Sequence, residues 1–411
     1  MRLDSFAKNN IIMFFASSIG SFFNLLYQLI MLRLVSKETF ASLNSLLSLL
    51  VIISVPAAAL NTTVAKHVST HYARKNNEEL KAAWQALAFH TFLLSSGILI
   101  LSVIFRQNIA SFLQISSLRS IIILGAIFFL SAVCSVINGG LQGLEKFKWL
   151  AAITVGAGFL KLFSSVLLVK KFSNSLEGAL FGFLLPALIS VAFSIWPLRF
   201  LLRERAREKL EMGRLYFYIL PVLLVGLCFA LLTNIDMVMV KHFFYQDAQD
   251  YALAQMVGKI ILSISGVIYV VMFSRVSHLH AKKEDSRDIL RRSLFFTFIL
   301  SFLVAALYNI FPVAVFSVLS GEVSPQTIMV GRFFSVSMLF YALSNVLFFY
   351  QLSIERYAFI KPLLIMAAGL IAAIAFFHKT TLSVAATVFI FSCAIFALNL
   401  NSTFKKIQPV K

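Results

Sequence analysis

The chain is a succession of apolar runs, each 18 to 26 residues long, with nearly all of its lysines and arginines in the gaps between them. A soluble domain cannot bury that pattern. About 20 apolar residues in a helix cover the roughly 30 Å hydrocarbon core of a bilayer. With 60% hydrophobic and only 13% charged residues in 411, most of the surface must meet lipid or other spans. Twelve spans are predicted: 10–32, 40–64, 85–105, 120–142, 148–169 and 178–198, then 215–240, 251–274, 293–318, 328–352, 360–377 and 382–402. The expected fold is an all-α membrane protein with twelve transmembrane helices.

The net charge of +19 would ordinarily point to an acidic partner. Its distribution gives it another meaning. With the N-terminus inside, 25 of the 36 Lys and Arg fall in inner segments and nine at outer ones, leaving Lys161 and Lys259 within spans. That bias places both termini in the cytoplasm, and no nucleic-acid partner is expected. The first apolar run is too long for a signal-peptide core and is expected to stay. Cys134, Cys228 and Cys393 lie in separate spans without a CxxC pattern, so neither disulfide, metal nor cofactor is expected.

The chain also repeats itself. TVAKHVSTHYARKN (63–76) echoes MFSRVSHLHAKKED (272–285), and ETFASLN (38–44) echoes QDYALAQ (249–255), at offsets near half the length. Both echoes sit at the second span of a half or its following basic loop. The pattern predicts an N-terminal six-helix half (1–198), a cytoplasmic basic linker (199–214) and a C-terminal six-helix half (215–411). Six is even, so the halves share one orientation, related by a pseudo-two-fold axis along the membrane normal.

Polar residues inside the spans are the candidates for function, because charge in a membrane is costly and faces a wet interior or a partner. Span one carries Ser17, Gly20, Asn24 and Gln28 at helical spacing. Span five carries Thr154, Gly158, Lys161 and Ser165, and span eight carries Gln255, Lys259, Ser263 and Gly266. Each set falls on one helix face and should point toward a cavity between the halves. Span seven adds Asn234 and Asp236, the only acidic residue clearly within a span. Structural ion pairing of Asp236 with Lys259 and snorkelling of Lys161 are the plain alternatives. The functional reading gives Lys161, Lys259, Asn24, Gln28, Gln255 and Asn234 to an anionic substrate and Asp236 to a proton or sodium ion. Tyr27, Tyr269 and Tyr341 are further cavity candidates. Pro56, Pro186, Pro221 and Pro312 are candidate kinks, and Gly156, Gly158, Gly178 and Gly182 are candidate close-contact positions. His67 and His71 have ligand-like spacing but no third ligand, no GxxxxGK[ST] occurs, and no catalytic triad can be argued.

The stretch NGGLQGLEKFKWL (138–150), followed by Lys161 in GFLKLFSSVLLV, resembles the span-four to span-five region of polysaccharide flippases. So does SFFNLLYQLIMLRLVSKETFASLNSLL (21–47). These flippases are the Wzx-like, O-antigen-type members of the multidrug, oligosaccharidyl-lipid and polysaccharide exporter superfamily. The resemblance implies a bacterial cytoplasmic-membrane protein that moves a polyprenyl-diphosphate-linked oligosaccharide by alternating access. It further implies coupling to a proton or sodium gradient, membrane lipid as surroundings, and other polysaccharide-assembly membrane proteins as partners. Lys161 matches a basic residue often found in that fifth span, while no family motif assigns Asp236. A drug/cation antiporter of the same superfamily is the runner-up, although such a cavity should favour acidic groups. A membrane enzyme of polysaccharide assembly is a third reading, disfavoured by the lack of a large external loop.

Overall fold

The computed structural model describes residues 5–73, 76–172, 175–202, 212–281, 284–319 and 324–405. Residues 203–211 of the predicted linker, together with Arg74 and Lys283 of the repeated loops, lie outside these. The described residues form α-helices and connecting turns, with no strand among them. The chain divides into two compact units, Met1–Leu223 and Leu224–Lys411.

In the first unit, α1 (Ser5–Leu34) is followed by α2 (Lys37–Ile53) and α3 (Val55–Ala73). The Ser36 hydroxyl caps α2 by accepting from the Thr39 N–H at 3.2 Å. α2 and α3 together occupy the second predicted span, but they bend by 42° at Ser54. Pro56, in the first turn of α3, has no N–H to continue the ladder, which accounts for the break. Asn76 caps α4 (Asn77–Ile104), which begins eight residues before the predicted span. His71 and Glu79, 2.8 Å apart, pin the end of α3 to the start of α4. Burial holds His67 below its ordinary pKa, with further lowering from His71 and Lys66. The short α5 (Arg106–Phe112) leads to α6 (Leu118–Gly143), α7 (Phe147–Lys171) and α8 (Leu176–Leu202). Ser117 caps α6 and also donates to Glu177 at 2.6 Å, tying the beginning of α6 to that of α8.

Glycines set how closely these helices approach. A Cβ on Gly143 would lie 2.6 Å from the Val68 Cβ, so α6 lies directly on α3. On α8, a Cβ at Gly178 would meet the Leu168 carbonyl at 2.9 Å, and one at Gly182 would overlap Ser165 on α7. The predicted contact role of Gly178 and Gly182 therefore holds. Gly156 is different: nothing lies within 4 Å of a Cβ placed there. It faces open space.

The second unit begins within α9 (Met212–Phe243), which is followed by α10 (Ala248–Ala281), α11 (Arg287–Ile310) and α12 (Pro312–Leu319). α13 (Pro325–Ser353), α14 (Ile360–Phe376) and α15 (Thr381–Lys405) complete the unit. α13 is its buried axis and packs on α10, α11 and α15. Pro312 opens α12, so the ninth predicted span is interrupted at Phe311. Pro186 and Pro221 lie within continuous helices.

Every predicted span falls on a helix or a broken helix pair. Among the described residues, nine helices are long and apolar enough to cross a membrane, or ten with the bent α2–α3 pair. α14, with 17 residues, is shorter, and α10 carries Asp250, Gln255, Lys259 and Arg275 along its length. Phe376 is 82% exposed, Ile365 68% and Trp196 67%, a surface suited to lipid and not to water.

Candidate functional site

The polar faces predicted on α1 and α7 meet in the first unit. Gly20 and Gly158 allow this, since a Cβ on Gly158 would stand 3.5 Å from the Gly20 Cα. Beside that crossing is a cavity of about 530 Å³. α1 contributes Ser17, Gly20, Ser21 and Asn24, and α7 contributes Thr154, Gly158 and Lys161. Ser131, Ser135 and Asn138 enter from α6, with Phe183, Pro186 and Ser190 from α8. The lining is thus mixed: eight residues carry a hydroxyl or amide, eight are apolar or glycine, and Lys161 is the cation, with no acidic residue among those described.

Lys161 is held in place. Its ammonium donates to the Asn24 side-chain oxygen and lies 4.8 Å from the Tyr27 ring centre and 4.9 Å from that of Phe183. Two aromatic faces and an amide oxygen stabilise a cation inside an apolar bundle without neutralising it. Two members of the predicted stripes turn elsewhere. Gln28 is half-buried and outside the cavity lining, while Ser165 is fully buried against the Ala179 carbonyl at 3.5 Å. The serines and asparagine of α6 were missed, although Ser131, Ser135 and Asn138 are spaced four and three apart in an otherwise apolar helix.

The second unit holds a different constellation. Asp236 on α9 is completely buried. Its carboxylate accepts from the Tyr251 hydroxyl at 3.0 Å and from the Gln255 amide nitrogen at 3.1 Å to each oxygen. Tyr251, Gln255 and Lys259 are spaced four and four on α10, so they form one row. Tyr251 is thus an unpredicted partner of Asp236 beside the predicted Gln255. Asn234 faces its own helix, donating to the Ala230 carbonyl at 3.1 Å and to the Thr233 hydroxyl at 3.0 Å. Tyr269 stacks on Phe349 at 3.9 Å as a packing residue. Lys241, fully buried 4.1 Å from the Tyr245 ring, escaped prediction because it lay just past the drawn end of its span.

A family model described as polysaccharide biosynthesis protein matches residues 6–249. No curated protein matches the chain. Among solved structures, an inward-facing multidrug resistance MATE family transporter of the MOP superfamily is similar at TM-score 0.74 and 14% identity, covering 95% of this chain and 96% of that one. The outward-facing form of a multidrug resistance MATE family transporter gives 0.69 and 15%, covering 96% and 94%. The lipid II flippase MurJ in an inward closed conformation gives 0.69 and 14%, covering 97% and 87%. At these identities the likeness is one of fold.

Proposed function

The chain belongs to the polysaccharide biosynthesis protein family, within the multidrug, oligosaccharidyl-lipid and polysaccharide exporter superfamily, and from that premise we propose that it flips a polyprenyl-diphosphate-linked oligosaccharide across the bacterial cytoplasmic membrane. In this reading the protein works by alternating access, driven by a proton or sodium gradient, and performs transport without chemistry on the glycan. Both termini are cytoplasmic, twelve spans are arranged six plus six, and other polysaccharide-assembly membrane proteins are its neighbours.

The observation that carries the reading is the composition of the cavity in the first unit. Sugar hydroxyls need many neutral donors and acceptors, and serine, threonine and asparagine supply them. A diphosphate needs cations, and Lys161 stands in the same lining; Lys259 is assigned to an anionic substrate by its charge within a span. An organic cation would instead need carboxylates, and none of the described lining residues is acidic. Asp236 is assigned to the coupling ion, with Asn24, Gln255, Asn234 and Gln28 as the polar surroundings originally predicted. Gln28 lies outside the cavity lining and Asn234 bonds within its own helix.

Deleting the gene should abolish a surface glycan and leave lipid-linked repeat units on the cytoplasmic leaflet. An intact surface glycan together with increased drug sensitivity would assign the protein to drug export instead.

A further inference from the structure

The cavity of the first unit has two unlike ends. At one end Asn24 of α1, Lys161 of α7 and Phe183 of α8 stand together, the lysine ammonium donating to the Asn24 oxygen and lying 4.9 Å from the Phe183 ring centre. Seven residues away on the same three helices the lining is Ser17, Thr154 and Ser190, a separation of about 10 Å at about 1.5 Å per residue. α6 runs beside α8, with the Cys134 sulfur 3.7 Å from the Ala187 carbonyl. Asn138, one turn farther along α6, therefore joins the Ser190 end.

Beyond Lys161 the helices close up. The Tyr27 hydroxyl donates to the Ala179 carbonyl at 3.4 Å and the Ser164 hydroxyl to the Gly182 carbonyl at 3.1 Å. A Cβ on Gly182 would overlap Ser165. The closed end thus holds the cation of the lining between an amide and two aromatic rings. The other end offers hydroxyl and amide groups and no charge among the described lining residues. A phosphate placed there would lack a counter-charge, which costs far more than a poorly matched sugar hydroxyl. A sugar needs only neutral donors and acceptors, and that end supplies them.

We infer that the lipid-linked substrate is bound phosphate-first: its diphosphate lies against Lys161 at the closed end, and the sugars nearest the phosphate lie along Thr154, Ser190 and Asn138. The inference rests on the flippase reading and adds the direction and extent of recognition. With the N-terminus cytoplasmic, α1 runs outward from Ser17 to Asn24, so the phosphate is the deeper group and the glycan trails toward the cytoplasm. A polar wall about 10 Å long has room for two pyranose rings end to end. The cavity reads at most the two sugars next to the phosphate, and further sugars lie outside it. Glycans that share those two sugars are then bound alike, whatever their outer residues.

The test uses the purified full-length protein in lipid nanodiscs. The probes are bare undecaprenyl diphosphate and the organism's own lipid-linked repeat unit, either intact or trimmed from its outer end to two sugars or one. Wild-type protein should bind the two-sugar probe about tenfold more tightly than the bare diphosphate, as a few neutral hydrogen bonds would give. The intact unit should add no more than about twofold to that. Asn138→Ala and Ser190→Ala should each shrink the gain from sugars, and two variants guard against one that fails to fold. Lys161→Gln should weaken every probe by a similar factor and keep the gain, and Lys161→Arg should restore the affinity. Affinity that keeps climbing beyond the second sugar would overturn the inference yet leave the flippase reading standing. So would a wild-type protein that gains nothing from sugars, or an Asn138→Ala protein that loses as much affinity for the bare diphosphate as for the two-sugar probe. Monodisperse wild-type protein that binds no probe at all would remove both.

Discussion

Lys161 and Lys259 have different environments, and they should fail differently. Lys161 is buttressed by Asn24, Tyr27 and Phe183, none of which carries a charge. Lys161→Gln should therefore weaken substrate binding without altering its dependence on the ion. Loss of a charge-assisted contact in a dry site costs about 1.5–3 kcal/mol, or roughly ten- to a hundredfold in affinity. Lys259→Ala should lower export at unchanged protein level, and wild-type export by that variant would remove Lys259 from the mechanism. How much of the site could be read from the sequence varied by residue type. A lysine or aspartate stands out within an apolar run, so Lys161, Lys259 and Asp236 were found at once. A serine does not, because its hydroxyl can bond the carbonyl one turn back anywhere in a membrane helix, as Ser164 does to Leu160 and Ser194 to Ser190. Ser131 and Ser135 were passed over for that reason. Gln28 and Ser165 show the opposite error: they share a stripe with cavity residues, but the stripe is longer than the cavity.

At the level of helices, the glycines of α7 and α8 offer a clear contrast. Gly182 has Ser165 of α7 against it, whereas Gly156 has no neighbour within 4 Å. Gly182→Val should destabilise the protein by about 1–3 kcal/mol, the range for overpacking a close contact, and should lower its melting temperature in detergent. Gly156→Ala should leave that temperature unchanged or slightly raised, since alanine favours the helix. Equal effects from the two substitutions would contradict the packing described here. The helices themselves were legible because twenty-residue apolar runs have few other folds in a bilayer. Their ends and breaks were less so. α4 begins at the Asn76 cap, well before its apolar segment, and hydropathy contains no information about caps. Pro56 and Pro312 break their spans while Pro186 and Pro221 do not. The outcome depends on whether packing around the proline holds the two helical segments in line.

For the whole molecule, the internal echo of the sequence predicts a six-plus-six plan, and its mismatches direct attention to the polar residues of α10. Gln255 and Lys259 align with Asn44 and Ser48 of the first half. Those two are buried in α2, where Asn44 donates to the Phe40 carbonyl of its own helix at 3.0 Å. Their counterparts in the echo differ: Gln255 donates to Asp236 of another helix, whereas Asn44 bonds within its own. Family and membrane character were legible in the sequence, whereas the full set of Asp236 partners required coordinates, because no spacing rule links a residue of α9 to Tyr251 on α10. The central claim is translocation of a lipid-linked glycan, and it is tested most directly in proteoliposomes containing a polyprenyl-diphosphate-linked oligosaccharide in one leaflet. Its appearance in the other leaflet should require an imposed proton or sodium gradient and should be lost in Asp236→Asn and in Lys259→Ala. Movement no faster than in protein-free liposomes, with the gradient applied and the wild-type protein correctly inserted, would contradict the account.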